Sequence, residues 1–240
     1  SIMSNLKDIK KDVNFSKKKG IKKIKIRLNL NSDYKNKINL LKKEKIKFAV
    51  DLIANTYIKN NILKRNGFLK FIKNFNPMWI EEVINIDDLN YFKKIKKINK
   101  LKFSYGENLN SKFDFYNLCN FYKFNFINLD ISHITITEMI DIIKYLKKKK
   151  IKNKILLHCW GGAINLHSSF ELATLFKDYI YMTELPIADF TLNNDYLKKL
   201  SISNSILNIN SVDRLNINQI YKKEKNIINK NILKKYEFKF

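Results

Sequence analysis

The sequence predicts an α/β fold, a parallel (β/α) barrel, from three observations. Short apolar runs alternate with helical stretches along most of the chain, an order that implies a parallel sheet with right-handed crossovers. Three successive runs close on an acid: Asp51 ends KFAVD, Glu81 ends PMWIE and Glu107 ends KLKFSYGE. Two later runs close on Asp130 (NFINLD) and on His158 (KILLH). Polar groups at the C-terminal tips of successive strands form the active-site rim of such a barrel.

Residues 5–19 read as a basic amphipathic helix that ends at Gly20. Residues 23–28 alternate Lys/Arg with Ile, a period-two strand whose faces differ sharply. A helix over 34–45 leads to a strand at 46–51, and a helix over 60–75 stops at Pro77. A short strand at 78–81 and a helix at 88–98 follow. Strands at 101–105, 124–129 and 155–158 continue the series, with helices at 114–122 and 137–148 between them. A helix at 167–176 and a strand at 179–183 complete it. Lys147–Lys150 read as the solvated end of a helix, where cations complement the dipole. The count is seven strands, one short of a closed barrel of about eight. With an initial Ser in place of Met, this leads to the expectation that the N-terminal part of a longer protein is missing. Residues 1–202 are expected to form the barrel domain. Residues 203–240, Asn/Lys-rich and weakly patterned, are expected to be a tail packed on the barrel or on the absent part.

A hydrophobic content of 45% argues against disorder, whereas a formal charge of +25 is unusual. Lys, Asn and Ile crowd every segment, including those that should face a core. Such even spread indicates compositional bias, since nucleic-acid binders gather charge on one face. No specific nucleic-acid partner is expected, although the charge would attract anions. Cys119 and Cys159 make no disulfide framework and no metal-ligand spacing, as befits a reducing compartment. The sequence has no apolar run near the roughly 18 residues that span a bilayer, and its N-terminus lacks the apolar core of a secretory signal. The expected location is the cytoplasm, with no membrane partner.

A single strand-end acid is most simply a cap for the next helix. Asp51, Glu81 and Glu107 on three successive strands, in a chain with 22 acids against 47 basic residues, point instead to a divalent cation with oxygen ligands. Glu82 has the opposite strand parity, so it either points away or supports its neighbour. His158, flanked by Cys159, Trp160 and Gly161-Gly162, is a candidate general base, and Asp130 one strand earlier would set its tautomer. His133 and His167 read as a loop and a helix position without a role. Lys25 and Arg27 share a strand face. If that face is interior they need anions, which the acidic trio and a carboxylate substrate would supply. A solvent-facing KKIKIR remains the alternative.

These motifs resemble the catalytic barrel of the enolase superfamily, in its mandelate racemase/muconate-lactonizing branch. The matching segments are KIKIR at 23–27, FAVD at 48–51, WIEEVINIDDL at 79–89 and GENLNSKFDF at 106–115. NLDIS at 128–132, ITEM at 136–139 and LLHCWGGAINLHSSFELA at 156–173 continue them in family order. The resemblance implies a TIM-like (β/α)7β barrel, here without the N-terminal capping domain and first barrel strand. It implies Asp51, Glu81 and Glu107 as Mg²⁺ ligands, an Asp130–His158 dyad, and Lys25 and Arg27 on the family's Lys-x-Lys strand. Glu184 matches a late strand-end acid that helps bind the substrate. The implied reaction is abstraction of a proton α to a carboxylate, with Mg²⁺ stabilising the enediolate. Arg27 replaces the second lysine and stays protonated, its pKa above about 12, so it is a poor base. One base suits dehydration of a sugar acid better than racemisation, which wants two. Racemase or cycloisomerase chemistry and an inactive binding barrel are the alternatives. The pattern also departs at Val83 in place of Pro, at 134–136 where a Gly-Gly is missing, and at Asp51-Leu52-Ile53 in place of Asp-x-Asn. Relatives commonly form dimers or octamers, which makes a homo-oligomer an open expectation.

Overall fold

The computed structural model describes residues 6–30, 33–52, 62–84, 89–99, 101–152, 154–186 and 201–208. Within them, α1 (Leu6–Lys18), β1 (Lys23–Arg27), α2 (Tyr34–Lys43), β2 (Lys47–Asp51), α3 (Ile62–Ile72) and β3 (Ile80–Glu81) open the chain. They are followed by α4 (Leu89–Asn99), β4 (Phe103–Tyr105), α5 (Lys112–Asn117), β5 (Phe126–Leu129) and α6 (Ile136–Lys148). Then come β6 (Ile155–Leu157), α7 (Ala163–Leu175) and β7 (Ile180–Thr183), and last a hairpin, β8 (Ser201–Ser203) with β9 (Ile206–Asn208). β1 to β7 pair in chain order as one seven-stranded parallel sheet, as the alternation predicts.

Three helix starts lie earlier than periodicity placed them, and at two of them a capping side chain decides the start. Thr135 accepts from the Glu138 backbone N–H at 3.2 Å and its hydroxyl bonds the Glu138 carboxylate, a capping box that starts α6 at Ile136. Ser111 accepts from the Phe113 N–H at 3.3 Å and starts α5 at Lys112. α5 runs into a π-helical turn at Leu118–Tyr122. α7 starts at Ala163, not 167, with the Leu166 N–H donating to Gly162 O at 3.2 Å. The hairpin was not anticipated. It docks beside β1: Ser205 N–H donates to Gly20 O at 2.9 Å, and Ser205 Oγ accepts from Lys22 N–H at 2.6 Å. The rest of the predicted tail, 209–240, lies outside the described residues.

Strand parity divides the apolar residues into two layers. Ile24, Ile26, Phe48, Val50, Ile80, Phe103, Tyr105, Ile127, Leu129, Ile155 and Leu157 face the helices and form the large core. The opposite parity yields a smaller cluster, Ala49, Trp79, Phe126 and Leu156, with Met78 and Met182 packed on it. That cluster is the inner face of the curled sheet, and the residues above it along the same strands are polar: Lys25, Asp51, Glu81, Ser104 and Asn128, all buried. The inner face therefore changes from apolar at the strand starts to charged at their C-terminal tips. β1 and β7 are the two edges of the sheet. A cavity of about 140 Å³ lies where they approach, lined by Met78, Trp79, Leu156, Met182 and Lys25 among others.

Phe92 of α4 anchors the outer layer: it stacks on Phe124 at 3.9 Å between ring centroids and meets Phe103 edge-on at 5.5 Å. It is fully buried. Phe92→Ala is expected to lower the unfolding free energy by about 3–5 kcal/mol, measured by denaturant titration.

Candidate active site

The parallel register sets the site. Arg27 pairs with Asp51, Asp51 with Glu81, and Glu81 with Ser104, so these side chains share one inner layer at neighbouring strand tips. Glu107 follows a turn at Gly106, whose φ of +123° is open only to glycine. A Cβ there would lie 2.9 Å from the Phe115 ring and 3.1 Å from Asn128 O. His158 is set by its N–H donating to Leu129 O at 2.8 Å, and Glu184 by its N–H donating to Leu157 O at 2.9 Å. The residues singled out in the sequence thus converge on one rim, and the alternative of a solvent-facing KIKIR is excluded for Lys25.

Lys25 is 7% exposed and its ammonium lies between the carboxylates of Glu81 and Glu184. Burial pulls its pKa down, but Glu184 and then Glu81 outweigh it and hold Lys25 well above the ordinary lysine value. Glu184 shows the reciprocal balance: burial raises it, Lys25 and His158 overcome that, and its pKa is lowered. Arg27 Nε donates to Asp51 Oδ2 at 2.8 Å, and its guanidinium carbon lies 5.8 Å from the Trp160 ring centre. Both cations predicted to need anions therefore have them.

His158 Nδ1 and Asp130 Oδ2 are 2.6 Å apart, the predicted dyad. His158 Nε2, on the other side of the ring, faces Glu107 Oε2 at 3.4 Å and Glu184 Oε2 at 4.0 Å. Burial lowers the His158 pKa, yet the Asp130 hydrogen bond and the Glu184 and Glu107 charges raise it to about 9. Asp130 is pushed up by burial and pulled further down by His158 and the Ser132 N–H, and lies below the usual aspartate value. Burial and then the Glu81 charge push Glu107 up to about 9. Burial and the neighbouring acids thus favour the protonated form of Glu107, while Asp130 and the rim acids favour the imidazolium of His158.

The donor chemistry of the trio fits a hard divalent cation: three carboxylates on consecutive strands, with Glu107 Oε2 buried and making no hydrogen bond among the described residues. Arg27, Lys25 and His158 neutralise those acids here. Among the described residues, no three His, Cys, Asp or Glu side chains are drawn together closely enough to hold an ion.

Several inner residues were missed. Trp79 Nε1 donates to Glu81 Oε2 at 3.1 Å, and Ser104 lies beside the same oxygen at 3.5 Å. Both sat in strands read only as apolar runs. Asn128 is fully buried on the same face, and its amide makes no hydrogen bond. Glu82 does not point away. The strand ends at Glu81 and Glu82 adopts φ +50°, so strand parity no longer governs it. Its buried carboxylate accepts from the Gly106 N–H at 2.9 Å, and burial raises its pKa to about 8. His133 is exposed, and His167 pairs with Glu171 one helical turn away.

The raised His158 pKa has a definite sign. A histidine held at about 9, against 6.5 unperturbed, adds stability that is complete below pH 6.5 and is lost as the pH rises through 9. Without metal, the stability advantage of wild type over His158→Gln should shrink by an amount on the order of 3 kcal/mol across that window. Denaturant titrations at a series of pH values measure it. An advantage that does not change with pH would show that His158 is not held as the imidazolium.

Comparison with known proteins agrees with the fold. Of the solved structures, the 3,6-anhydro-D-galactonate cycloisomerase from Zobellia galactanivorans superposes with a TM-score of 0.75 at 17% identity, covering 92% of this chain and 64% of that one. L-Talarate dehydratase from Polaromonas sp. JS666, complexed with Mg and L-glucarate, gives 0.63 at 16% identity, covering 86% and 55%. A mandelate racemase/muconate lactonizing enzyme-like protein from Rubrobacter xylanophilus gives 0.63 at 14% identity, covering 76% and 51%. The chain spans less than two thirds of the length of each, and identities this low speak to the fold alone. No curated protein matches the chain. Among the described residues, no helix is long and apolar enough to cross a membrane. A family profile described as enolase C-terminal domain-like matches residues 13–210, and the chain belongs to that family.

Proposed function

We propose that this barrel carries the acid–base half of a Mg²⁺-dependent enzyme that abstracts the proton α to a carboxylate and dehydrates a sugar acid. The observation that carries the reading is the hydrogen-bonded Asp130–His158 pair, with Nε2 turned toward Glu107 and Glu184 on the acid-lined rim. In this reading Asp51, Glu81 and Glu107 would hold the cation. When bound, the cation would supply positive charge to stabilise the enediolate. Glu184 and Lys25 would bind and orient the substrate.

His158 would do the proton work alone. Arg27 is a guanidinium already engaged by Asp51, and Lys25 is held protonated between two acids, so neither rests as a free base. His158, once neutral, takes the α-proton at Nε2 and, as the imidazolium, returns a proton to the departing hydroxyl. Asp130 keeps Nδ1 protonated throughout. Positive charge held by the acidic trio would also disfavour the imidazolium, and so would make the neutral ring easier to reach. The partner is accordingly a small carboxylic acid. The basic protein would attract it by its overall charge, which is +25.

A cycloisomerisation by the same single base is the second reading, a reaction named for one protein of this fold, the anhydrogalactonate cycloisomerase. Product mass separates the two, since only dehydration loses a molecule of water.

Two measurements test the proposal. Calorimetric titration with Mg²⁺ should show saturable binding to wild type that weakens at least about 10-fold in Glu107→Gln, by analogy with the loss of a supporting metal contact. Absence of saturable binding to folded wild type would remove the metal from the proposal. With a panel of sugar acids in deuterated buffer, His158→Asn should lose α-proton exchange and turnover by a factor on the order of 10² to 10⁴ while its Mg²⁺ affinity stays near wild type. Undiminished exchange in that variant would sink the assignment of His158.

A further inference from the structure

We propose that Asn165 is a positioning residue that locks Asp130, and through it the His158 ring, and that Gly161 supplies the room that lets Asn165 do so. The inference rests on the Asp130–His158 reading above. It concerns how that pair is held.

Asp130 has two carboxylate oxygens. Oδ2 meets His158 Nδ1 at 2.6 Å, while Oδ1 accepts from the Ser132 N–H at 2.7 Å and from Asn165 Nδ2 at 3.2 Å. Ser132 belongs to the same loop as Asp130 and moves with it. Asn165 comes from the first turn of α7, so it ties the carboxylate to a separate element. Its amide is buried, and both ends are used. Nδ2 also donates to Ser132 Oγ, while Oδ1 accepts from Cys159 Sγ at 3.0 Å and lies 3.4 Å from Ser169 Oγ.

The partners dictate which way the amide faces. Turning it over would set its oxygen against the Asp130 carboxylate and its NH₂ against a thiol proton. Burial pushes the Cys159 thiol up to about 12, so it keeps the proton that it donates. One side chain thus links the strand end that carries His158 (through Cys159), the loop that carries Asp130, and α7.

Gly161 completes the arrangement. A Cβ at that position would lie 2.7 Å from Asn165 Cβ and 2.8 Å from its Nδ2, closer than such atoms approach. The contact is with the amide itself, so any side chain at 161 would push Asn165 off Asp130. The Gly161-Gly162 pair, read in the sequence as a turn next to a candidate base, therefore acquires a particular steric task at its first glycine.

The test follows the hydrogen-bonded Nδ1 proton of His158 by ¹H–¹⁵N NMR on the full chain, with the signal assigned through its loss in His158→Gln. Asn165→Asp keeps an acceptor toward Cys159 and Ser169 but sets a carboxylate against Asp130. Asn165→Leu removes the amide, and Gly161→Ala displaces it. Each should let that proton exchange with water roughly tenfold faster or more, the scale of losing a hydrogen bond to a charged group. Ser169→Ala, which leaves the Asn165–Asp130 bond in place, should exchange as slowly as wild type. Wild-type exchange in a cooperatively folded Asn165→Asp or Gly161→Ala protein would overturn the proposal, as would equally fast exchange in Ser169→Ala. If Asn165→Leu fails to fold, the other two variants decide. Because the readout is a ring proton and not turnover, the locking role and the proposed reaction stand or fall separately.

Discussion

The buried ammonium of Lys25 is the constraint on which the rest of this structure depends. It stands on β1, the first edge of the sheet, and contacts Glu81 from β3 and Glu184 from just beyond β7. An unpaired charge at that depth would be costly, and the ammonium is offset by acids from both β3 and the end of β7, which ties the first edge of the curled sheet to the last. The curl brings the inner faces of all seven strands to a common axis. The alternation of KIKIR then follows: Ile24 and Ile26 are claimed by the helices, and Lys25 and Arg27 by the acids within.

The electrostatics of the rim invert those of the whole chain. The protein carries +25, yet Asp51, Glu81, Glu82, Glu107, Asp130 and Glu184 gather around Lys25, Arg27 and His158. Burial first, and the neighbouring acids after it, raise the pKa values of Glu107 and Glu82, while the Asp130 hydrogen bond and the nearby acids raise that of His158 against burial. Asp130 and Glu184 are the exceptions, each having its own cation. Acids in one site with pKa values pushed in opposite directions are characteristic of acid–base centres. The basic exterior and the acidic rim are compatible, because the first acts at long range on an approaching anion and the second at contact.

Support for the site is layered. Directly beneath the charged layer lies the small apolar cluster of Ala49, Trp79, Phe126 and Leu156, and Trp79 joins the two by hydrogen-bonding Glu81. On the other side, Glu82 fixes the Gly106 turn that carries Glu107, and Asn165 holds Asp130. Glu81, Glu107 and Asp130 thus each have a neighbour that fixes their direction or the turn that carries them.

The strand series, the parallel order and the rim positions of Asp51, Glu81, Glu107, Asp130 and His158 were all legible in the amino-acid sequence. Period-two alternation and strand-end acids are local signals, carried within five or six residues. Periodicity misplaced the starts of α5 and α6, where the capping side chains of Ser111 and Thr135 decide them, and that of α7, which begins after Gly162 without a side-chain cap. Local signals left two directions open for Glu82, and its bond to the Gly106 N–H is the supporting one. What only the tertiary structure decided were the partnerships across strands: Lys25 with Glu184, His158 with Glu107, and Asn165 with Asp130. Those residues lie far apart along the chain, and curling of the sheet alone brings them within bonding distance. A sequence determines which groups alternate and where strands end. Which charge neutralises which is decided by the closure of the sheet, because the cost of burying a charge depends on the atoms around it and not on its place in the chain.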